Sequence, residues 1–179
     1  MDASRERLQR LLPPVHDRAV AFARSVCRSQ SDGDDLFQEA LLRAMDKLDG
    51  LREDGAFRVW LYRIIISLHR SRYRTAFWRR LLPMTGDFAS DAPSAEETLG
   101  AASRARLALA DLPHEQRESI VLFEIEQWKV EEIAELLDTS VSAIKSRLAR
   151  GRERLRTIYM RRFGVDLAPT PSLIPGETR

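Results

Sequence analysis

Apolar residues recur along most of this chain at three- and four-residue spacing, the period of an α-helix with one buried face. Val15, Ala19, Phe22, Ala23 and Val26 share one face and predict a first helix from Pro14 to Arg28. "SDGDD", residues 31–35, then reads as a turn with capping residues. A second helix carries Leu36, Phe37, Ala40, Leu41, Ala44 and Leu48 as its apolar stripe. "LDGLREDGA" interrupts the pattern with two glycines. A third helix turns Phe57, Trp60, Leu61, Ile64, Ile65 and Leu68 inward. The alternation expected of half-buried strands is nearly absent, so the fold class is all-α.

From Leu82 to Glu97 the text "LPMTGDFASDAPSAEE" has the composition of a linker. Helical periodicity resumes from Leu99 to Leu109, and Pro113 stands near a helix start, where proline costs least. The closing "DLAPTPSLIPGETR" is proline-rich and reads as a disordered tail. The expected organisation is two small helical domains, 1–80 and 98–163, joined by a flexible linker at 81–97 and followed by a tail at 164–179.

Within the second domain, Val130, Ile133, Ala134 and Leu137 give one short helix an apolar stripe. "DTS" supplies a tight turn and a cap for the next, on which Val141, Ile144, Leu148, Leu155 and Ile158 lie on one side. Ser142, Ser146, Ala149, Arg150 and Glu153 fall opposite, flanked by Lys145 and Arg147. Two short helices around a three-residue turn form a helix-turn-helix, whose second helix fits a DNA major groove. Ser142, Ser146 and Ala149 are small enough for the backbone to approach base edges. Arg150 can reach guanine, Lys145 a base or a phosphate, and Arg147 a phosphate. Gly151 costs the helix about 1 kcal/mol relative to alanine. It lies on the inward side, where close packing explains it.

Charge sharpens this picture. The formal net charge is only +2, but its distribution is uneven. No acid occurs between Asp54 and Asp87, where seven arginines sit, and Glu153 is the only acid between Asp138 and Asp166. Two basic blocks suggest two contacts with one polyanion. The single cysteine, Cys27, excludes an internal disulfide and a cysteine-based zinc cluster, and its apolar surroundings suit a buried thiol. His16, His69 and His114 lack metal-ligand spacing, so no metal or cofactor is expected. Charged residues in "MDASRERLQR" argue against a signal peptide, and "LYRIIISL" is too short to span a membrane, which points to a cytoplasmic chain. No paired carboxylates, phosphate-binding glycine loop or nucleophile beside a base suggest catalysis, so no catalytic residues are assigned.

These residues resemble the extracytoplasmic-function sigma factors of bacterial RNA polymerase. "LADLPHEQRESIVLFEIEQWKVEEIAELLDTSVSAIKSRLARGRERLR" is similar to their region 4, which reads the minus-thirty-five promoter element. "DGDDLFQEALLRAMDKL" resembles the helix that docks on the polymerase clamp, and "FRVWLYRIIISLHRSRYR" the region 2 segment that opens the minus-ten element. The resemblance implies that Asp34, Asp35, Leu36, Gln38 and Glu39 bind the β′ clamp. It also implies that region 4 meets the β flap, that promoter DNA is bound, and that an anti-sigma factor controls the chain. Strand opening needs cations along the backbone and a face for an unstacked base. Arg58, Arg63, Arg70, Arg72 and Arg74 provide the first, and Tyr62 and Tyr73, projecting away from the core stripe, the second. In the family the irregular segment before this helix, here Leu48 to Phe57, helps hold a flipped base.

The chain departs from the family at Ser67, often asparagine, and at Ile66, often polar or basic, so the amide that would help read the flipped base is missing. Gln127 and Lys129 replace the usual glycine and serine cap before the helix-turn-helix, weakening the local cap. An ordinary helix-turn-helix activator with an N-terminal sensor or dimerisation domain fits the second half equally well. It leaves the acid-free arginine stretch unexplained. A helical bundle that binds a protein partner is a further alternative.

Overall fold

The computed structural model describes residues 2–81 and 100–167, with side chains described for 4–75 and 100–167. The expected linker, apart from its first residue, and the expected tail beyond Leu167 lie outside the described residues. The first half is built from α1 (Asp2–Leu11), α2 (His16–Val26), α3 (Gln30–Lys47) and α4 (Phe57–Leu81). The second half holds α5 (Ala101–Ala110), α6 (His114–Ile120), α7 (Val130–Leu136) and α8 (Val141–Phe163). No strand occurs among the described residues.

In the first half, α2, α3 and α4 pack on one another around Phe22, Val26, Leu36, Ala40, Ala44, Leu61 and Ile65, all essentially without solvent contact. The predicted apolar stripes therefore do form the core. Their ends differ from expectation. The first helix spans only His16–Val26. "SDGDD" is not a turn: it lies inside the opening turns of α3, which is capped by Ser29 accepting from the Asp32 N–H at 3.0 Å. Gly33 explains the difference, because a Cβ there would stand 2.5 Å from Arg24 Cα. The glycine is a close helix crossing read as a chain reversal. α1 was not foreseen, because its pattern is mostly polar. It docks through buried Leu8 and through Arg7, which donates to the carbonyls of Leu48 (3.2 Å) and Leu51 (2.8 Å). Arg7 also pairs with Asp54, so α1 braces the glycine-interrupted segment, which folds as two 3-10 turns at Leu48–Gly50 and Asp54–Ala56.

In the second half, α6 runs into a π-helical turn at Val121–Ile125, and α8 lies across α5, α6 and α7. Gly151 is buried as expected, with Ile120 Cδ1 2.6 Å from where its Cβ would be. Ser140 caps α8 by accepting from the Ala143 N–H at 3.1 Å. Before α7, Gln127 holds a left-handed φ of 57°, the conformation that favours glycine. The cap of α7 is replaced rather than lost, since Glu132 reaches back to accept from the Lys129 N–H at 2.8 Å.

The two halves share a single core. α2 packs on α5, α6 and the π turn, and α4 packs on α7. Arg117, on α6, crosses between them. It donates to the Val26 carbonyl at the end of α2 (2.6 Å) and to those of Ala110 (2.7 Å) and Leu112 (2.9 Å). Three carbonyls near helix ends thus receive charge-assisted bonds.

Candidate nucleic-acid interface

α8 places its two faces as the helical wheel requires. Ile144, Leu148 and Gly151 are buried, while Ser142, Lys145, Ser146, Ala149 and Arg150 are all exposed. Arg150 lies along the surface with its Nε 3.3 Å from the Ser146 carbonyl. The exposed strip is made mostly of small residues, carries cations at Lys145 and Arg150, and stands on a buried base. Such a surface can enter a major groove and present a guanidinium to a base edge. Arg147 is the exception. Its side chain is 15% exposed and pairs with Glu115 of α6 at 3.2 Å. The expected phosphate contact is corrected to a bond between α6 and α8, because position 147 faces back across the groove between those helices.

On α3, Asp35 and Gln38 are exposed, and Glu39 is half-buried and accepts from Arg72 at 2.6 Å. Asp34 pairs with Arg24 at 2.7 Å. Leu36 is fully buried, so its expected role on the docking surface is withdrawn: it belongs to the apolar stripe and points into the core. Sequence reasoning missed Leu42 and Met45, which are 64% and 46% exposed. Both fall outside the stripe by spacing, and they extend the Asp35–Gln38 face by two turns. An apolar pair left over from a complete core stripe was the available signal.

The first-half residues expected at the melted strand meet an unforeseen environment. Ser67 and Arg74 are exposed, and Arg72 binds Glu39. The others face the second half. Tyr62 is fully buried, stacked between Phe22 (4.9 Å) and Trp128 (5.2 Å), and donates to Glu126 at 2.6 Å. Its expected outward projection is corrected: α4 is buried on two sides, by α2 and α3 on one and by the second half on the other. Burial first, then the bond to Glu126 and its charge, push the Tyr62 hydroxyl well above the usual phenol range. Arg58 lies over the Trp128 ring at 4.6 Å and Arg63 pairs with Glu135 at 3.2 Å. Arg70 donates to Glu118 at 3.0 and 3.1 Å, and the Tyr73 ring lies 4.4 Å from that of His114.

Glu118 is the least expected of these groups. It is wholly buried, with His69 Nδ1 2.9 Å away beside the Arg70 bonds. Burial works against its charge, but His69 and Arg70 outweigh that and hold the carboxyl below its usual range. His114 is lowered as well, by burial, which in a histidine favours the neutral ring. Burial also raises the Cys27 thiol to about 11, which keeps it protonated at neutral pH. Among the described residues, no three His, Cys, Asp or Glu side chains gather to hold a metal, and no helix is long and apolar enough to cross a membrane.

A helical chain whose second half seats a helix-turn-helix and whose first half offers an arginine- and tyrosine-bearing helix has the build of a sigma-70-type initiation factor. The family models agree: sigma-70 region 2 matches residues 11–79 and sigma-70 region 4 matches residues 103–155. More narrowly, the chain belongs to the extracytoplasmic-function (ECF) sigma factors. It is 32% identical to the ECF RNA polymerase sigma factor SigM of Mycobacterium tuberculosis, over 85% of this chain and 77% of that one. It is 35% identical to the ECF RNA polymerase sigma-E factor of Escherichia coli K12, over 81% of this chain and 83% of that one. Among solved structures it is similar to the sigma factor RpoE in complex with the anti-sigma factor NepR from Bartonella quintana. There the TM-score is 0.61 at 25% identity, over 88% of this chain and 97% of that one. It is similar as well to CnrH in complex with the cytosolic domain of CnrY, with a TM-score of 0.60 at 27% identity over 84% and 86% of the two chains.

Proposed function

We propose that this chain acts by binding and not by catalysis, in the cytoplasm, as the subunit that brings core RNA polymerase to a particular set of promoters. Residues 1–80 serve as region 2 and 98–163 as region 4, with 81–97 between them. The Asp35, Gln38 and Glu39 side of α3, extended by Leu42 and Met45, docks on the β′ clamp, and region 4 meets the β flap. α4 works at the minus-ten element through Arg58, Arg63, Ser67, Arg70, Arg72, Tyr73 and Arg74. α8 reads the minus-thirty-five element. The neighbours solved with NepR and CnrY support control of this chain by an anti-sigma partner.

The observation that carries the reading is the exposed strip of α8, where Ser142, Lys145, Ser146, Ala149 and Arg150 all face outward from a buried base. Arg150 is assigned to a guanine edge, so Arg150→Ala should cost about 1–3 kcal/mol at the preferred site and relax discrimination at one base pair. The test is selection from a randomised minus-thirty-five library by holoenzyme. An unchanged selected sequence in Arg150→Ala would remove α8 from base reading.

A further inference from the structure

A row of polar side chains joins α1 to the irregular segment ahead of α4. Ser4, Arg7 and Arg10 recur every three residues along α1, and each meets an acceptor between Leu48 and Asp54. Ser4 donates to Asp49 at 2.7 Å and Arg10 to Asp54 at 2.7 Å. Arg7 donates to the Leu48 carbonyl (3.2 Å), the Leu51 carbonyl (2.8 Å) and Asp54 (2.8 Å). One guanidinium thus holds both sides of the first 3-10 turn and the start of the second. Between those turns Leu51 to Glu53 belong to no helix, and Leu51 and Glu53 are extended. As sources of stability the outer contacts are poor. The side chains of Arg10 and Asp54 are 70% and 40% exposed, and pairs of that kind contribute little. Buried Leu8 already docks α1. What the polar row adds is a fixed shape, and that shape is open. A Cβ at Gly50 or Gly55 would meet nothing within 4 Å, and neither glycine is left-handed. Packing and turn geometry therefore explain neither, whereas bare backbone suits close approach by a flat ligand.

We propose that Arg7 is a positioning residue for strand recognition: from α1 it holds Leu48–Phe57 in the shape that receives an unstacked base, a role that rests on α4 and this segment forming the minus-ten face. A planar guanidinium can keep several acceptors in fixed relation to one another, which a lysine ammonium cannot. Fixing the segment before the strand arrives removes its ordering cost from binding. Arg7 and Arg10 also offset the charge of Asp54, whose carboxyl they hold below its usual range. Incoming phosphates are thereby spared a bare negative charge beside the site. Arg7, with its fork already occupied, acts through the segment and not on the strand.

The test compares full-length wild type, Arg7→Ala and Arg7→Lys in reconstituted holoenzyme. Selection from a library randomised across the minus-ten element reads base preference, and permanganate reactivity reads strand opening. In both variants the preference at one minus-ten position should fall on the order of tenfold, with the other positions and the minus-thirty-five selection unchanged. Arg7→Lys carries the decision, because it keeps the charge and most of the stem where Arg7→Ala can fail to fold. Gly33→Ala controls for stability, since its clash lies at the crossing of α2 and α3 and not at the segment. A minus-ten profile kept by Arg7→Lys overturns the proposal. So does a loss spread evenly over all positions, or the same relaxation in Gly33→Ala. Alanine at both Arg58 and Arg63 tests the face itself. Undiminished strand opening in that variant counts against α4 as the minus-ten face, whereas diminished opening with an unchanged Arg7→Lys profile counts only against Arg7.

Discussion

Gly33→Ala should destabilise the first half, although alanine is the better helix former. Gly33 lies in the opening turns of α3, and a Cβ at that position would stand 2.5 Å from Arg24 Cα, 2.8 Å from Arg24 N and 2.9 Å from Arg24 Cγ. Two of these atoms are backbone, so no rotamer change relieves the contact. Carbon atoms sit comfortably at about 3.5–4.0 Å, and α2 and α3 would have to part by about 1 Å. Their shared surface includes Phe22, Ala23, Val26, Leu36 and Ala40, all close-packed with essentially no solvent contact, and separation would open gaps along it. Overpacking of this kind costs about 1–3 kcal/mol or more, against about 1 kcal/mol gained from replacing a helical glycine. The net loss should be up to about 2 kcal/mol. With a urea slope of about 2 kcal/mol/M, the unfolding midpoint should fall by up to about 1 M. Gly50→Ala is the control, since a Cβ there meets nothing within 4 Å, and its midpoint should move little. A Gly33→Ala midpoint at or above that of wild type would refute the close-crossing account and restore the turn reading.

Two other perturbations have defined signs. Gln127→Gly should stabilise by up to about 1 kcal/mol, because the φ of 57° is costly for a residue with a Cβ. The bond from its side chain to the Glu124 carbonyl at 2.6 Å offsets part of that cost, and a lowered urea midpoint would contradict the assignment of strain. Glu118 has a depressed carboxyl, so its stabilising effect is fully present above its ordinary value of 4.5 and is lost as pH falls through the lower folded value. His69 and Arg70 face it from α4 and His114 from α6, and all three favour the charged carboxylate when protonated. The stability gap between wild type and Glu118→Gln should therefore close below about pH 4.5. A gap independent of pH would show that the carboxylate's charge does not matter.

The core was legible in the sequence because helical periodicity reports burial directly, and Leu36, Leu61, Ile65, Ile144 and Leu148 lie inside as their spacing requires. The exposed strip of α8 was legible for the same reason: a face fixed by a buried stripe leaves its opposite side determined. Three things were not. α1 is held by Arg7 on backbone carbonyls, which leaves no apolar stripe to read. Gly33 gives the same local signal at a tight crossing as in a turn. Tyr62 and Arg70 were expected in the open because the pattern of one helix shows one buried side. The second side of α4 is buried by residues more than forty positions away, Glu118, Glu126 and Trp128, and no local window contains them. Ile66, an apolar residue outside the core stripe, was the one local hint.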